Sequence, residues 1–203
     1  MGAVPWHSSL EGYFQQEASD GHTRLTLLKL AGLLHDIAKP QTRTIESTGR
    51  MRFFGHASQG ASMAAVILKR LKFSGRGIAM VQTMVEHHLR PGQMSQAGEM
   101  PTQRAIYRYF KDMGDVAIDT FYLNLADYLA ARGPNIDVQE WARYCNVITH
   151  VIQTGLERGS PQVIPKLLDG HDIMRAFGLA PGPIIGSLLR LVEEAQGAGE
   201  IGT

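Results

Sequence analysis

The chain has 203 residues with 20 Lys and Arg against 19 Asp and Glu, a formal net charge of +1, so charge alone gives no reason to expect a nucleic-acid partner. Its length suffices for a substantial core, and 44% hydrophobic with only 7% aromatic residues suits a compact helical protein. A single cysteine excludes an internal disulfide and a Cys-based metal cluster. No run approaches the roughly 18 apolar residues of a membrane span, and the N-terminus lacks a basic-then-apolar signal pattern, which predicts a cytoplasmic protein with no membrane contact.

In chain order, residues 4 to 18 read as a first helix with Trp6, Leu10, Tyr13 and Phe14 on one side, broken by Asp20-Gly21. A central helix is predicted from about Thr23 to Ala38, with Leu25, Leu27, Leu28, Leu30, Ala31, Leu33 and Leu34 too apolar for a solvated face. Pro40 disfavours helix at Lys39 and stops this element. Thr42–Glu46 and Arg50–Phe54 flank Ser47-Thr48-Gly49 as a short hairpin-like insertion, the only β-structure expected. Helices follow from His56 to about Leu71, from Ser74-Gly75 to His88, from Pro101 with Ile106, Tyr107, Tyr109 and Phe110, from Val116 to about Arg132, and from Val138 to about Gln153. Residues 92 to 100 read as a loop. The fold class is all-α, a multi-helix bundle. Residues 1 to 155 form its body, and a linker near Gly159-Ser160-Pro161 leads into a small helical C-terminal tail over 156 to 203. Cys145, in a helical context, reads as a small buried hydrophobe.

The chemistry concentrates at Leu33-Leu34-His35-Asp36-Ile37-Ala38-Lys39-Pro40. A His followed by a carboxylate at the end of an apolar helix is costly to bury unless something pairs with both, and a divalent cation does so. Lys39 lies one turn along the same face, suited to a phosphate at the rim. Asp127, the acid within the apolar stretch Phe121–Ala131, is a candidate ligand or ion-pair partner. His56, at a helix start, could bond a phosphate or water, take a second metal, or cap its helix. His87 and His88 point about 100° apart, and His88, near Arg90, is the one expected to face the site. An upstream ligand could be His7 or His22, and a helix-borne donor, held more rigidly, favours His7. His171-Asp172 repeats the dipeptide but reads as a capping box with Asp169. Arg104, Arg108 and Lys111 around Tyr107 could track a phosphate backbone or form a solvated face.

The order His7, His35-Asp36 and Asp127 resembles the metal signature of HD-superfamily phosphohydrolases. The run through Arg52-Phe53-Phe54-Gly55-His56 and Glu86-His87-His88-Leu89-Arg90-Pro91 is similar to the HD region of bacterial tRNA nucleotidyltransferases and poly(A) polymerases. The tail motifs Leu179–Gly186, Glu193–Gln196 and Gly199-Glu200-Ile201 resemble the end of that family. The resemblance implies a metal-dependent phosphohydrolase acting on phosphomonoesters or cyclic phosphodiesters of nucleotides or RNA ends, with tRNA as a further partner. It implies His7, His35, Asp36 and Asp127 as ligands of a divalent ion. Asp36, Lys39, His56, His88 and Arg90 would act on the phosphate. Imidazole donors suit Mn, Fe, Co, Ni or Zn, whereas Mg prefers more oxygens. The alternative is a non-catalytic tRNA-binding body. The Gly-Ser phosphate loop and Asp-x-Asp pair with which those enzymes add nucleotides are not assembled here. The chain, a fragment of a full enzyme or a free-standing relative, is therefore not expected to polymerise nucleotides alone.

Overall fold

The computed structural model describes residues 4–95, 100–157 and 166–202. It is an all-α bundle carrying two small antiparallel strand pairs. The first helix is shorter than the apolar pattern suggests, α1 (Ser9–Gln15), because Pro5 and the Ser8 turn precede it and the chain becomes extended at Gln16. β1 (Glu17–Ser19) and β2 (His22–Thr23) pair across Asp20-Gly21, so the hairpin expected further on is not the only β-structure. A turn with both Asp20 and Gly21 at positive φ is the local cause.

Thr23 caps α2 (Arg24–Leu34), its side chain accepting from the Thr26 amide. α2 ends before the expected Ala38. Its stripe Leu27, Ala31 and Leu34 is buried, while Leu33 is 77% exposed. Pro40 therefore does not stop this helix. It sits in the first turn of a separate four-residue helix, α3 (Lys39–Thr42), where a missing N–H costs nothing. β3 (Arg43–Ile45) and β4 (Met51–Phe53) form the expected hairpin. α4 (His56–Arg70) and α5 (Gly75–His87) then pack side by side, burying Ala61, Ala64 and Leu68 against Val81, Met84 and Val85.

α6 (Arg90–Ser95) takes in residues 92–95 of the stretch read as a loop. α7 (Gln103–Met113) leads through a 3₁₀ turn into α8 (Ala117–Arg132), followed by α9 (Val138–Glu157). Tyr109, Phe121, Leu125, Trp141 and Ile148 build a second core between α7, α8 and α9. α8 serves both cores: Phe121 and Leu125 face the second, and Leu123 faces the α2–α4–α5 core. Asp127 lies four residues beyond Leu123, on the face turned to α2 and α5. Among the described residues no helix is long and apolar enough to cross a membrane.

In the tail, Asp169 accepts from the His171 and Asp172 amides and Asp172 accepts from the Asp169 amide, a capping box that starts α10 (Gly170–Phe177). Pro183 opens α11 (Pro183–Gly197). This unit rests on α7. Arg104 pairs with Glu200, Arg108 with Glu194 at 2.5 Å and Lys111 with Glu193 at 2.7 Å. The basic stripe is thus neutralised by the tail rather than presented as a free phosphate track. The expected linker at 159–161 lies outside the described residues.

Candidate metal centre

Two helix ends and one helix start converge beside α8. His35 is the C-cap of α2 and His88 the C-cap of α5, while His56 is the first residue of α4. Each Nδ1 lies at a backbone carbonyl three residues earlier: His35 at Gly32 (2.8 Å), His56 at Phe53 (2.7 Å) and His88 at Val85 (2.7 Å). A carbonyl has no proton to give, so each Nδ1 donates. In doing so His35 and His88 satisfy carbonyls left open by the last turns of their helices. With Nδ1 carrying one proton, a ring that is neutral presents its lone pair at Nε2.

The three Nε2 atoms point into one space. His56 Nε2 and His88 Nε2 are 3.3 Å apart, and the His35 and His88 rings meet edge-on at 5.0 Å. Asp36 Oδ2 is 3.3 Å from His35 Nε2 and Asp36 Oδ1 is 3.5 Å from His56 Nε2, while Asp127 Oδ1 is 3.4 Å from His35 Nε2. These separations are long for hydrogen bonds, and His35 Nε2 and Asp36 Oδ1 are buried without a hydrogen-bond partner. Donor atoms of His35, Asp36 and His88 all lie within 4.8 Å of one another. Convergent imidazole nitrogens, a carboxylate and orphaned buried atoms are the donor set that fits a divalent cation.

The electrostatics are those of a site that gathers positive charge. The Asp127 and Asp36 carboxylates push the His35 imidazole up to about 10, so at neutral pH His35 carries a proton on Nε2 as well, in the position a cation would take. Burial alone would raise Asp36, yet His35 and Lys39 hold it well below the usual carboxylate range, and His35 likewise lowers Asp127. Burial pushes His88 down, so it stays neutral and available as a donor. The cluster draws in positive charge.

Close packing places these groups. Gly55, at φ +78°, turns the chain so that His56 enters α4 directly after β4. Gly60 lets α4 pass the end of α2, since a Cβ there would stand 3.4 Å from the His35 carbonyl oxygen. Asn124 on α8 donates to the His88 carbonyl at 2.6 Å and accepts from the Tyr144 hydroxyl. Sequence reading missed Asn124, whose apolar surroundings were its only signal.

The expected residues do not all meet here. Lys39 is at the rim, its ammonium 2.5 Å from Asp36 Oδ2 and over the Phe53 ring. His7 is not among the converging donors. It precedes α1, is exposed, and faces Ser9 Oγ at 2.8 Å. Its alternative His22 stacks on Phe73 at 4.7 Å. Neither upstream histidine joins the cluster, whereas His88, expected to contact phosphate, is buried among its donors with only 1% exposure. Arg90 is turned to Asp112 at 2.8 Å, because α6 starts a new direction after His88.

A sequence profile described as HD domain matches residues 11–132. The A-adding tRNA nucleotidyltransferase of Deinococcus radiodurans is 34% identical over 178 residues, covering 87% of this chain and 39% of that protein. The CC-adding tRNA nucleotidyltransferase of Thermus thermophilus is 34% identical over 180 residues, covering 86% and 37%. The CC-adding tRNA nucleotidyltransferase of Synechocystis is 28% identical over 134 residues, covering 66% and 29%. The chain therefore spans well under half the length of these relatives.

Proposed function

The chain belongs to the HD-domain family, and from that premise we propose that it is a divalent-metal-dependent phosphohydrolase acting on phosphomonoesters or cyclic phosphodiesters of nucleotides or RNA ends. The observation that carries this reading is the convergence of the His35, His56 and His88 Nε2 atoms around the Asp36 carboxylate, each ring locked by its own Nδ1–H bond. His35, Asp36 and His88 would hold the cation with Asp127, and an imidazole-rich set favours Mn, Fe, Co, Ni or Zn over Mg. When bound, such an ion supplies Lewis acidity and a water acidic enough to attack near neutral pH.

The chain's own residues supply the rest. Lys39, at the rim, offsets charge on the phosphoryl oxygens. His56 takes or returns a proton at Nε2 while the Phe53 carbonyl keeps Nδ1 protonated and the ring oriented. Arg90, committed to Asp112, has no part in this reading. Residues 1 to 155 would be the catalytic body and 156 to 203 a tail, whose described part braces α7 through Glu193, Glu194 and Glu200. The relatives' names make tRNA a proposed partner. Nucleotide addition is not proposed of these residues.

Hydrolysis of p-nitrophenyl phosphate and of 2′,3′-cyclic nucleotides, with Mn²⁺, Co²⁺ or Ni²⁺ and with EDTA, tests the reading. Metal-stimulated turnover that Asp36→Ala and His35→Ala abolish is expected. A rate unchanged by either substitution defeats it.

A further inference from the structure

Asp127 separates the metal-ligand cluster from a cleft of about 390 Å³ between α6, α8 and α9, a volume within the ~300–1,000 Å³ usual for small-molecule sites. The cleft is built in layers. The Arg132 guanidinium carbon sits over the Tyr128 ring, 3.5 Å from its centroid, and Tyr128 stacks on Tyr144 at 5.0 Å and 24°. Glu140, 3.2 Å from Arg132, steadies the guanidinium from one side. The Arg132 side chain lines the cleft and stays 37% exposed, so the guanidinium remains within reach of a planar guest there. Across the cleft α6 presents the exposed amide of Gln93.

A guanidinium plane backed by two aromatic rings suits a flat heteroaromatic ring, by cation–π and stacking contacts. A carboxamide and a carboxylate at the edge suit the donor and acceptor pattern of an amino-bearing base, as Gln pairs with adenine and Glu accepts from an amino group. A simple phosphomonoester would use none of these groups. At the other end, Asp127 Oδ1 is 3.4 Å from His35 Nε2, so a ligand filling the cleft would project toward the metal donors.

We infer that this cleft is the nucleoside subsite of the centre, taking an amino-bearing base on the Arg132 face while the attached phosphoryl group reaches the cluster beyond Asp127. The phosphoryl end of this inference rests on the phosphohydrolase reading, whereas the base end rests on the cleft alone.

Saturation-transfer NMR with adenosine tests it on the full chain. Adenosine base protons should receive saturation, and Arg132→Ala and Gln93→Ala should each weaken adenosine binding by about tenfold. Circular dichroism and Co²⁺ binding should stay unchanged in both variants. No saturation transfer to adenosine, or undiminished binding by both variants, overturns the subsite. Adenosine binding lost in the variants of a protein that takes up no Co²⁺ would uphold the cleft while sinking the metal reading. Co²⁺ binding without adenosine binding would do the reverse.

Discussion

His56 Nε2 faces His88 Nε2 across 3.3 Å while the Nδ1 of each ring is spent on a backbone carbonyl. With the Nδ1 protons committed in this way, His88 Nε2 faces the cluster as a donor for a cation held with His35 and Asp36. Titration calorimetry should therefore show Mn²⁺ or Co²⁺ binding that His88→Ala and Asp36→Ala eliminate and His7→Ala leaves unchanged. Saturating ion at about 100 times its Kd should add about 2.7 kcal/mol to stability, lost again with EDTA, because the donors converge only in the folded chain. Equal affinity in His88→Ala would place the ion elsewhere.

Arg24 stands at the opposite end of α8. Its guanidinium donates to Asp119 Oδ2 at 2.9 Å, to the Tyr13 hydroxyl at 2.8 Å and to the Asp115 carbonyl at 2.8 Å, with Asp119 wholly buried. Arg24→Met leaves that carboxylate unpaired and should cost about 3–5 kcal/mol in urea unfolding. Adding Asp119→Leu should recover part of the loss, since no uncompensated charge then remains. A single-variant cost near zero would show the pair to be solvated.

Much of this was legible in the sequence, for identifiable reasons. The 3.6-residue spacing of Leu27, Ala31 and Leu34, or of Ala61, Ala64 and Leu68, marks faces that the cores bury. His35, Asp36 and Asp127 come together because Asp127 continues the Leu123 face. What the sequence hid depends on where chains turn. A C-cap histidine such as His88 has no sequence signature separating a phosphate contact from a metal donor. Residue 7 belongs to no helix, because Ser8 and Ser9 begin α1 after it. Asp119 sits in the same apolar helix as Asp127, and only its meeting with Arg24, 95 residues earlier, shows it to be a structural partner.

Cys145 is 5% exposed, and burial pushes its thiol up to about 11. The thiolate is the reactive form, so alkylation by iodoacetamide at pH 8 should be slow in the folded chain and fast in denaturant. Because the folded thiol is the weaker acid, its contribution to stability is full below the ordinary thiol range and is lost as pH rises through 11. Rapid labelling of native protein at pH 8 would show α9 opening on its own.

The tail covers the basic face of α7 through Glu193, Glu194 and Glu200. Solvent screens these exposed pairs, so the glutamates matter less for stability than for what they occupy. Gly197 adds a steric element: α11 lies so close to Tyr107 that a Cβ at this position would collide with the ring. Changing all three glutamates to Gln should leave the melting temperature nearly unchanged while freeing Arg104, Arg108 and Lys111. Fluorescence anisotropy with a single-stranded RNA should then show tighter binding with a steeper dependence on salt, because released cations neutralise additional phosphates. If the triple variant binds no better than the parent chain, this stripe is a bracing surface alone, and any nucleic-acid contact must be sought on another face.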